Sequence, residues 1–295
     1  MVAPATAERT RSRRTRDALS AYGLLLPTLV AFAVFAFYPF WRLIHFALYQ
    51  QNTTGTKERY VGPQQLVDTL TSGEFWDGVR VSTLMVVFSV PIGMALGVVL
   101  AVAAHRKLRG IKFFQTVFAS TIASSGAVTA VVFFTLVNPQ IGYFKSVPWL
   151  DLEQPLSALF SVSLSVTWQS LGLSFIIVLA GLQTVPDELI EAATLDGFGA
   201  IRRFYRITIP LISPTLLFLA VVLVVRTFQV YAEIDILTGG GPAGATESLL
   251  FKITRLQQPR DLAEGAAMSL GLFVITMLVA GAQFGLVNRR VHYGE

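Results

Sequence analysis

The chain has no cysteine and only three histidines, and Asp, Glu, Lys and Arg together make up 14% of its 295 residues. Without cysteine there is no disulfide framework and no thiolate metal site, although the compartment stays open. His45, His105 and His292 stand far apart in the chain, which argues against a histidine metal centre. The charged share is about half that of an ordinary soluble domain. No G-x-x-x-x-G-K-[ST] run occurs, so the chain does not hold ATP through a P-loop. No catalytic constellation is visible either. Asp151, Glu153, Asp187 and Glu188 sit beside expected helix ends, where they read as solvated or capping charges.

What the chain has is apolar length. Hydrophobic residues are 53% of the sequence, and the mean hydropathy of +0.60 belongs to an integral membrane protein. The net charge of +5 then fits loops that face anionic lipid, not nucleic acid. Crossing a bilayer takes roughly 20 apolar residues, and six runs qualify: 22–48, 79–104, 113–137, 157–182, 209–231 and 266–287. The run from Tyr22 to Leu48 is too long for a signal-peptide core and reads as an uncleaved first helix. The sequence therefore predicts an all-α membrane protein with six transmembrane helices over 21–290, a basic tail at 1–20 carrying Arg9, Arg11, Arg13, Arg14 and Arg16, and a short tail at 291–295.

Loop charges orient it. Taken alternately, the tails and loops hold 14 Lys and Arg on one side and 6 on the other. The richer side is the cytoplasmic one, so both termini are expected inside, together with loop 183–208. Phe75 and Trp76, before the second span, suit an interfacial aromatic belt on the outer side.

Loop 183–208 leads into a polar, arginine-bearing island, Glu191 to Pro214, between two apolar runs. Asp187 and Glu188 suit a helix start and Gly197 a helix stop. A second short helix is expected from Ala200 to Ile207, with Arg202, Arg203 and Arg206 towards its end. The order Glu191-Ala192-Ala193, Asp196-Gly197, Phe204, Ile207, Pro210 and Pro214 resembles the EAA loop of ABC importer permeases. Phe198 and Ile209 are mild departures from that pattern. The resemblance implies an ABC importer type I permease fold and a coupling helix that docks into a groove on a cytoplasmic ATPase. Glu191, Ala192, Ala193, Asp196, Gly197, Arg202 and Arg203 would be the contact residues. The plain alternative is an ordinary connector between spans.

Gly239, Gly241 and Gly244 match G-x-G-x-x-G literally, but Pro242 lies inside the match and no βαβ context surrounds it, so a nucleotide site is rejected. Leu237, Thr238, Gly239, Gly240, Gly241 and Pro242 instead resemble the L-T-x-G-G-P element of carbohydrate-uptake (MalF-like) permeases. The resemblance implies that Gly239 to Pro242 contact a docking binding protein; a flexible loop is the alternative. Phe32, Tyr38 and Pro39 early in the chain fit the same family. Ile234–Asp235, Ala245–Thr246, Lys252–Ile253 and Val291–His292–Tyr293 add a likeness to its glycerol-3-phosphate and glycerophosphodiester permeases.

Polar groups within or near the spans are the handle on solute. Trp168 and Gln169 stand together in the fourth run, while Arg226, Gln229, Tyr231 and Glu233 close the fifth. An ionisable residue in a span is a candidate functional group, and the guanidinium fork suits a phosphate. Arg226 lies about 15 residues beyond Leu211, roughly 22 Å along a helix, so it could equally snorkel to the outer interface. Trp168 could stack on a sugar or a choline-like headgroup, or pack. The candidate path is therefore Trp168, Gln169, Arg226, Gln229 and Tyr231.

Together these features imply a permease subunit of a binding-protein-dependent ABC importer in a bacterial inner membrane, not itself an enzyme and without a cofactor of its own. Its implied partners are a second, homologous permease, two copies of an ABC ATPase that bind the ATP, an extracytoplasmic solute-binding protein and membrane lipid, with no nucleic acid and no metal. Glycerol-3-phosphate or a glycerophosphodiester such as glycerophosphocholine is the first solute class, and a maltose- or trehalose-like oligosaccharide the second. A secondary transporter or a membrane-embedded enzyme is the alternative of another class. The first would need intramembrane carboxylates, which the span interiors lack, and the second a polar cluster at one membrane face.

Overall fold

The computed structural model describes residues 23–105 and 109–287. The basic tail 1–20, Arg106, Lys107, Arg289, Arg290, Val291–His292–Tyr293 and the tail 291–295 lie outside the described residues.

The chain divides into two compact units, residues 1–66 with 258–267, and residues 67–257 with 268–295. The first contains helix α1 (Gly23–Leu48), which is interrupted by a π turn at Ala33–Phe37. A hairpin of β1 (Tyr49–Gln51) and β2 (Glu58–Tyr60) follows, with Tyr49 opposite Tyr60 and Gln51 opposite Glu58. Asn52 Oδ1 accepts from the Thr56 and Lys57 amides at 2.9 and 3.2 Å, which closes the turn. His45 at the end of α1 stacks on Tyr49 with ring centroids 4.2 Å apart.

The second unit holds the remaining helices apart from the opening residues of two of them, 62–66 and 262–267. After α2 (Gly62–Thr71), α3 (Gly73–Ala104) starts at Ser72, whose hydroxyl accepts from Phe75 N–H at 3.2 Å. Next come α4 (Ile111–Ala119), α5 (Gly126–Val137), α6 (Pro155–Gln183) and α7 (Asp187–Leu195). Then follow α8 (Ala200–Leu211) and α9 (Ser213–Phe228), the short α10 (Ala232–Leu237) and α11 (Leu249–Arg255), and α12 (Leu262–Val287).

The packing of α3 on α6 rests on small residues. Ser89, Gly93, Gly97, Ala101 and Ala104 recur at three- and four-residue steps on the buried face of α3, where Gly93 adjoins Thr167 and Gly97 adjoins Ser174, while Gly78 and Ser82 face Leu249 of α11. Helix α6 answers with Ser163, Thr167, Ser170 and Ser174. Lipid gives no hydrophobic drive to helix association, so close backbone approach and paired hydroxyls take that role. Ser89 Oγ donates to Ser163 C=O at 3.1 Å, and Thr167 Oγ1 donates to Ser89 C=O at 3.4 Å. Helix α9 joins this pair through Leu219, Leu223, Val224 and Phe228, which pack with Phe175, Val178 and Leu179. A second cluster gathers Ala130, Val137, Val162, Val166, Ile234 and Leu237 around α5, α6 and α10.

Among the described residues, four helices are long and apolar enough to cross a membrane, and two further pairs qualify if each is taken as one bent span. Both bends fall in runs expected to be continuous. The run 113–137 turns by 102° between the 3-10 turn after α4 and the start of α5. Ser124, Ser125 and Gly126 are poor helix formers, and a serine side chain competes for backbone partners. Ser125 caps α5 by accepting from Val128 N–H at 3.3 Å. The other bend, 69° between α8 and α9, follows from Pro210 and Pro214. Pro214 has no N–H for the Pro210 carbonyl, and Ser213 Oγ donates to that carbonyl at 2.7 Å instead. The arginine-bearing segment is therefore not the short helix Ala200 to Ile207 but one that runs on to Leu211, through a π turn at Phe204–Thr208.

Candidate functional site

Helix α7 exposes a charged and apolar face on a fixed turn. It opens after Pro186 with Asp187 and Glu188 in its first turn and ends in a two-bond cap. Phe198 N–H donates to Ala193 C=O at 2.9 Å and Gly197 N–H donates to Thr194 C=O at 3.1 Å. This is the Schellman arrangement, which needs a left-handed residue after the helix. Gly197 provides it at φ +77°, with open space where a Cβ would stand. The arginines fold back on this turn. Arg203 Nη1 donates to Thr194 Oγ1 at 2.6 Å, and the Arg202 guanidinium lies 4.4 Å from the centre of the Phe198 ring. Ala193 is buried, while Glu191, Ala192 and Asp196 are exposed together with Leu189, Leu195, Ile201 and Tyr205. Four large apolar side chains facing out beside charges make a surface suited to a partner.

A second place collects four of the five candidate path residues. A cavity of about 370 Å³ is lined by Gln169, Arg226, Gln229, Tyr231, Gly126 and Glu233, with Val230 and Ala232 between them. It lies where α5 begins and α9 ends. With its amide oriented to match its neighbours, Gln169 donates to Glu233 Oε1 at 3.1 Å and accepts from Gly126 N–H at 2.8 Å. Glu233 is 4% exposed, and its carboxylate faces the first turn of α5, where helix geometry favours negative charge. Gly126 makes room for it, since a Cβ there would stand 2.7 Å from Glu233 Oε1. Among the described residues the Arg226 guanidinium makes no hydrogen bond or ion pair, although its charge acts on the Glu233 carboxylate. The arrangement can hold a small polar solute by charge and hydrogen bonding; it offers no nucleophile paired with a base.

Trp168 does not share this cavity and is 49% exposed, so its neighbour Gln169 is the inward residue of the two. Sequence reasoning missed Gly126 and left Glu233 off the path. Glu233 closes the fifth run in the sequence, just past residue 231, and only the fold brings it to the α5 terminus. The signal available was S-S-G in mid-span, which marks a helix break.

The Gly239–Pro242 loop between α10 and α11 is cross-tied. Thr238 and Thr246 hydroxyls meet at 2.7 Å, Thr246 Oγ1 donates to Gly241 C=O at 2.9 Å, and Arg255 Nη2 donates to Gly239 C=O at 2.8 Å. The Gly241–Pro242 bond is cis. Gly240 is buried and Gly239 exposed, and no strand adjoins the glycines, in keeping with the rejected nucleotide motif.

Residues 83–293 match the family model described as binding-protein-dependent transport system inner membrane component. The chain belongs to that family. Curated relatives named sn-glycerol-3-phosphate transport system permease protein UgpA include one from Rhizobium meliloti (strain 1021), 32% identical over 92% of this chain and 96% of its own. Another, from Yersinia enterocolitica, is 34% identical over 92% of this chain and 95% of its own. Among solved structures, a chain of a bacterial alginate ABC transporter, in complex with an alginate pentasaccharide-bound periplasmic protein, superposes with a TM-score of 0.79 at 22% identity. The match covers 96% of this chain and 99% of that one. A chain of the MetNI methionine ABC transporter gives 0.53 at 15% identity, over 74% of this chain and 94% of that one. The permease thus has the helical fold of ABC importer permeases and is an inner-membrane transport component, not an enzyme in its own right.

Proposed function

We propose that this permease forms half of the translocation pore of an importer for glycerol-3-phosphate or a glycerophosphodiester such as glycerophosphocholine. It spans the membrane six times with both termini in the cytoplasm, each bent pair counting as one span. It pairs with a second, homologous permease, two ATPase copies bind the ATP below, and a binding protein delivers solute above, against the loop Gly239–Pro242. Helix α7 and its cap, with Glu191, Ala192, Ala193, Asp196, Gly197, Arg202 and Arg203, dock into the ATPase groove. ATP-driven closure of the ATPases then moves α7 and α8, and α9 follows.

The observation that carries the solute reading is Arg226, whose guanidinium lines a polar cavity with no hydrogen bond or ion pair among the described residues, its charge acting on the neighbouring Glu233 carboxylate. An oxyanion such as a phosphate is the natural complement of that fork. The names of the curated relatives support the same class. The test is ATP hydrolysis by the complete complex in lipid with its binding protein. Stimulation by glycerol-3-phosphate or a glycerophosphodiester, and not by disaccharides, is the expected result. Stimulation by a maltose- or trehalose-like sugar alone would make the permease an oligosaccharide importer and leave Arg226 an interfacial anchor.

A further inference from the structure

The cavity carries one charge of each sign. The Arg226 guanidinium lines it with no hydrogen bond or ion pair among the described residues, and Glu233, on which the Arg226 charge acts, lines it with Oε1 held by Gln169. A buried carboxylate in a phosphate site is a disadvantage if the solute is simply anionic, because like charges repel strongly where water is scarce. A phosphomonoester carries nearly two negative charges at neutral pH. It would gain one guanidinium and face one carboxylate. A phosphodiester with a quaternary ammonium on one arm meets both groups favourably. The third wall is suited to that arm as well. Tyr231 is 38% exposed and tilted against Phe251 at 5.8 Å between ring centres, and it adds an aromatic group to the cavity lining. Quaternary ammonium groups are held by aromatic faces and nearby negative charge.

We infer that the cavity is a zwitterion site: Arg226 holds the phosphate, Glu233 and Tyr231 hold a cationic headgroup, and Glu233 is the residue that discriminates against phosphomonoesters. The inference rests on the cavity's place on the solute path, as proposed above. It goes further in assigning specificity to the permease as well as to the binding protein. Specificity by rejection needs such a repulsive group.

The test uses the complete complex in proteoliposomes, with ATP inside and the binding protein outside. Labelled glycerophosphocholine and sn-glycerol-3-phosphate compete for uptake. The binding protein is the same in every sample, so a change in their ratio belongs to the permease. Glu233→Gln should shift the ratio towards glycerol-3-phosphate by about tenfold, the size of one unfavourable charge contact screened by the neighbouring Arg226. Tyr231→Leu should lower glycerophosphocholine uptake alone by about threefold to tenfold. Arg226→Gln should lower both. An unchanged ratio in Glu233→Gln, with Arg226→Gln still lowering both solutes, would overturn the inference and leave the cavity on the path. Should Glu233→Gln fail to assemble, Tyr231→Leu decides: an unchanged ratio overturns the inference. If Arg226→Gln and Glu233→Gln both transport like the parent, the cavity is off the path and both readings fall. Uptake of disaccharides alone overturns the phosphate reading, and the zwitterion site with it.

Discussion

Gly197 is where the coupling proposal can be put under the most controlled strain. Its φ of +77° is one that L residues adopt only at a cost, and a Cβ added there meets no atom within 4 Å. A substitution is therefore felt through the backbone alone. Alanine held in the left-handed region costs about 1–2 kcal/mol. The escape from that strain is to give up the cap bonds, Phe198 N–H to Ala193 C=O and Gly197 N–H to Thr194 C=O, each worth about 0.5–1.5 kcal/mol net. The two costs are of similar size, so Gly197→Ala leaves the turn divided between formed and unwound states. Gly197→Val, β-branched, drives it to the unwound side, whereas Gly197→Asn, which tolerates this region, leaves it mostly formed. The assay is solute taken up per ATP hydrolysed by the reconstituted complex. The ratio should fall less than about twofold for Asn, several-fold for Ala and more than about tenfold for Val, at about 1.4 kcal/mol per factor of ten. Membrane insertion and assembly should be unchanged. A valine variant that couples like the parent refutes the reasoning. So does an asparagine variant worse than alanine, because side-chain size would then matter and not backbone conformation.

Three further outcomes follow from single contacts. Gly126→Val sets a branched side chain against the Glu233 carboxylate, whose Oε1 lies 2.7 Å from the Cβ position. Uptake should fall at least about tenfold in a complex that still assembles, and parental uptake would separate the α5 terminus from the path. Arg203→Ala and Thr194→Val each remove the same 2.6 Å hydrogen bond, so each should lower uptake per ATP. The double variant should be no worse than the poorer single one, and full additivity would show that the two residues act separately. Ser82→Ala leaves the buried Leu249 N–H, now held by Ser82 Oγ at 2.9 Å, without its acceptor. Loss of about 1–3 kcal/mol is expected, read as a lower unfolding temperature in detergent, and an unshifted transition would mean that another group satisfies that amide.

The legibility of the chain follows how local each signal is. Membrane class, the apolar runs and the α7 turn come from composition, length and a helix-stop glycine, all of which act within a few residues. The two bends were written locally too, in Ser124-Ser125-Gly126 and in Pro210 and Pro214. The prolines stand at the head of the apolar run 209–231 and the serines lie inside the run 113–137, and hydropathy summed over a run does not register a lost helix bond. The cavity was half legible. Gln169, Arg226, Gln229 and Tyr231 stood out as polar residues in or near apolar runs. Trp168 and Gln169 are adjacent in sequence, however, and neighbours on a helix point about 100° apart, so only one of the two faces inward. Glu233 and Gly126 are more than a hundred positions apart, and their contact exists only once α10 packs on α5.

The same bends tie the two candidate sites into one mechanical argument. Backbone away from regular helix is tolerated at membrane depth only where protein buries it or a cavity needs it. Here one break supplies the α5 terminus that lines the cavity. The other joins α8, which carries the arginines of the α7 turn, to α9, which carries Arg226 at its far end. Helix α9 is 16 residues long, about 24 Å at 1.5 Å per residue, and its last turn adjoins the cavity wall. A change in the α8–α9 bend would therefore displace Arg226 while the core formed by α3 and α6 stays put. The bend depends on Pro214 lacking an N–H for the Pro210 carbonyl, which Ser213 Oγ occupies at 2.7 Å. Pro214→Ala restores that donor and lets the helix straighten, and removal of an interior proline favours a continuous helix by about 3 kcal/mol. The expected result is a complex that assembles and hydrolyses ATP but takes up solute at least about tenfold more slowly, since the lever arm is reset. Pro214→Ala with Ser213→Ala should be as slow or slower, because nothing then competes for the carbonyl. Parental uptake in both variants would show that the bend is passive and that motion reaches Arg226 by another route.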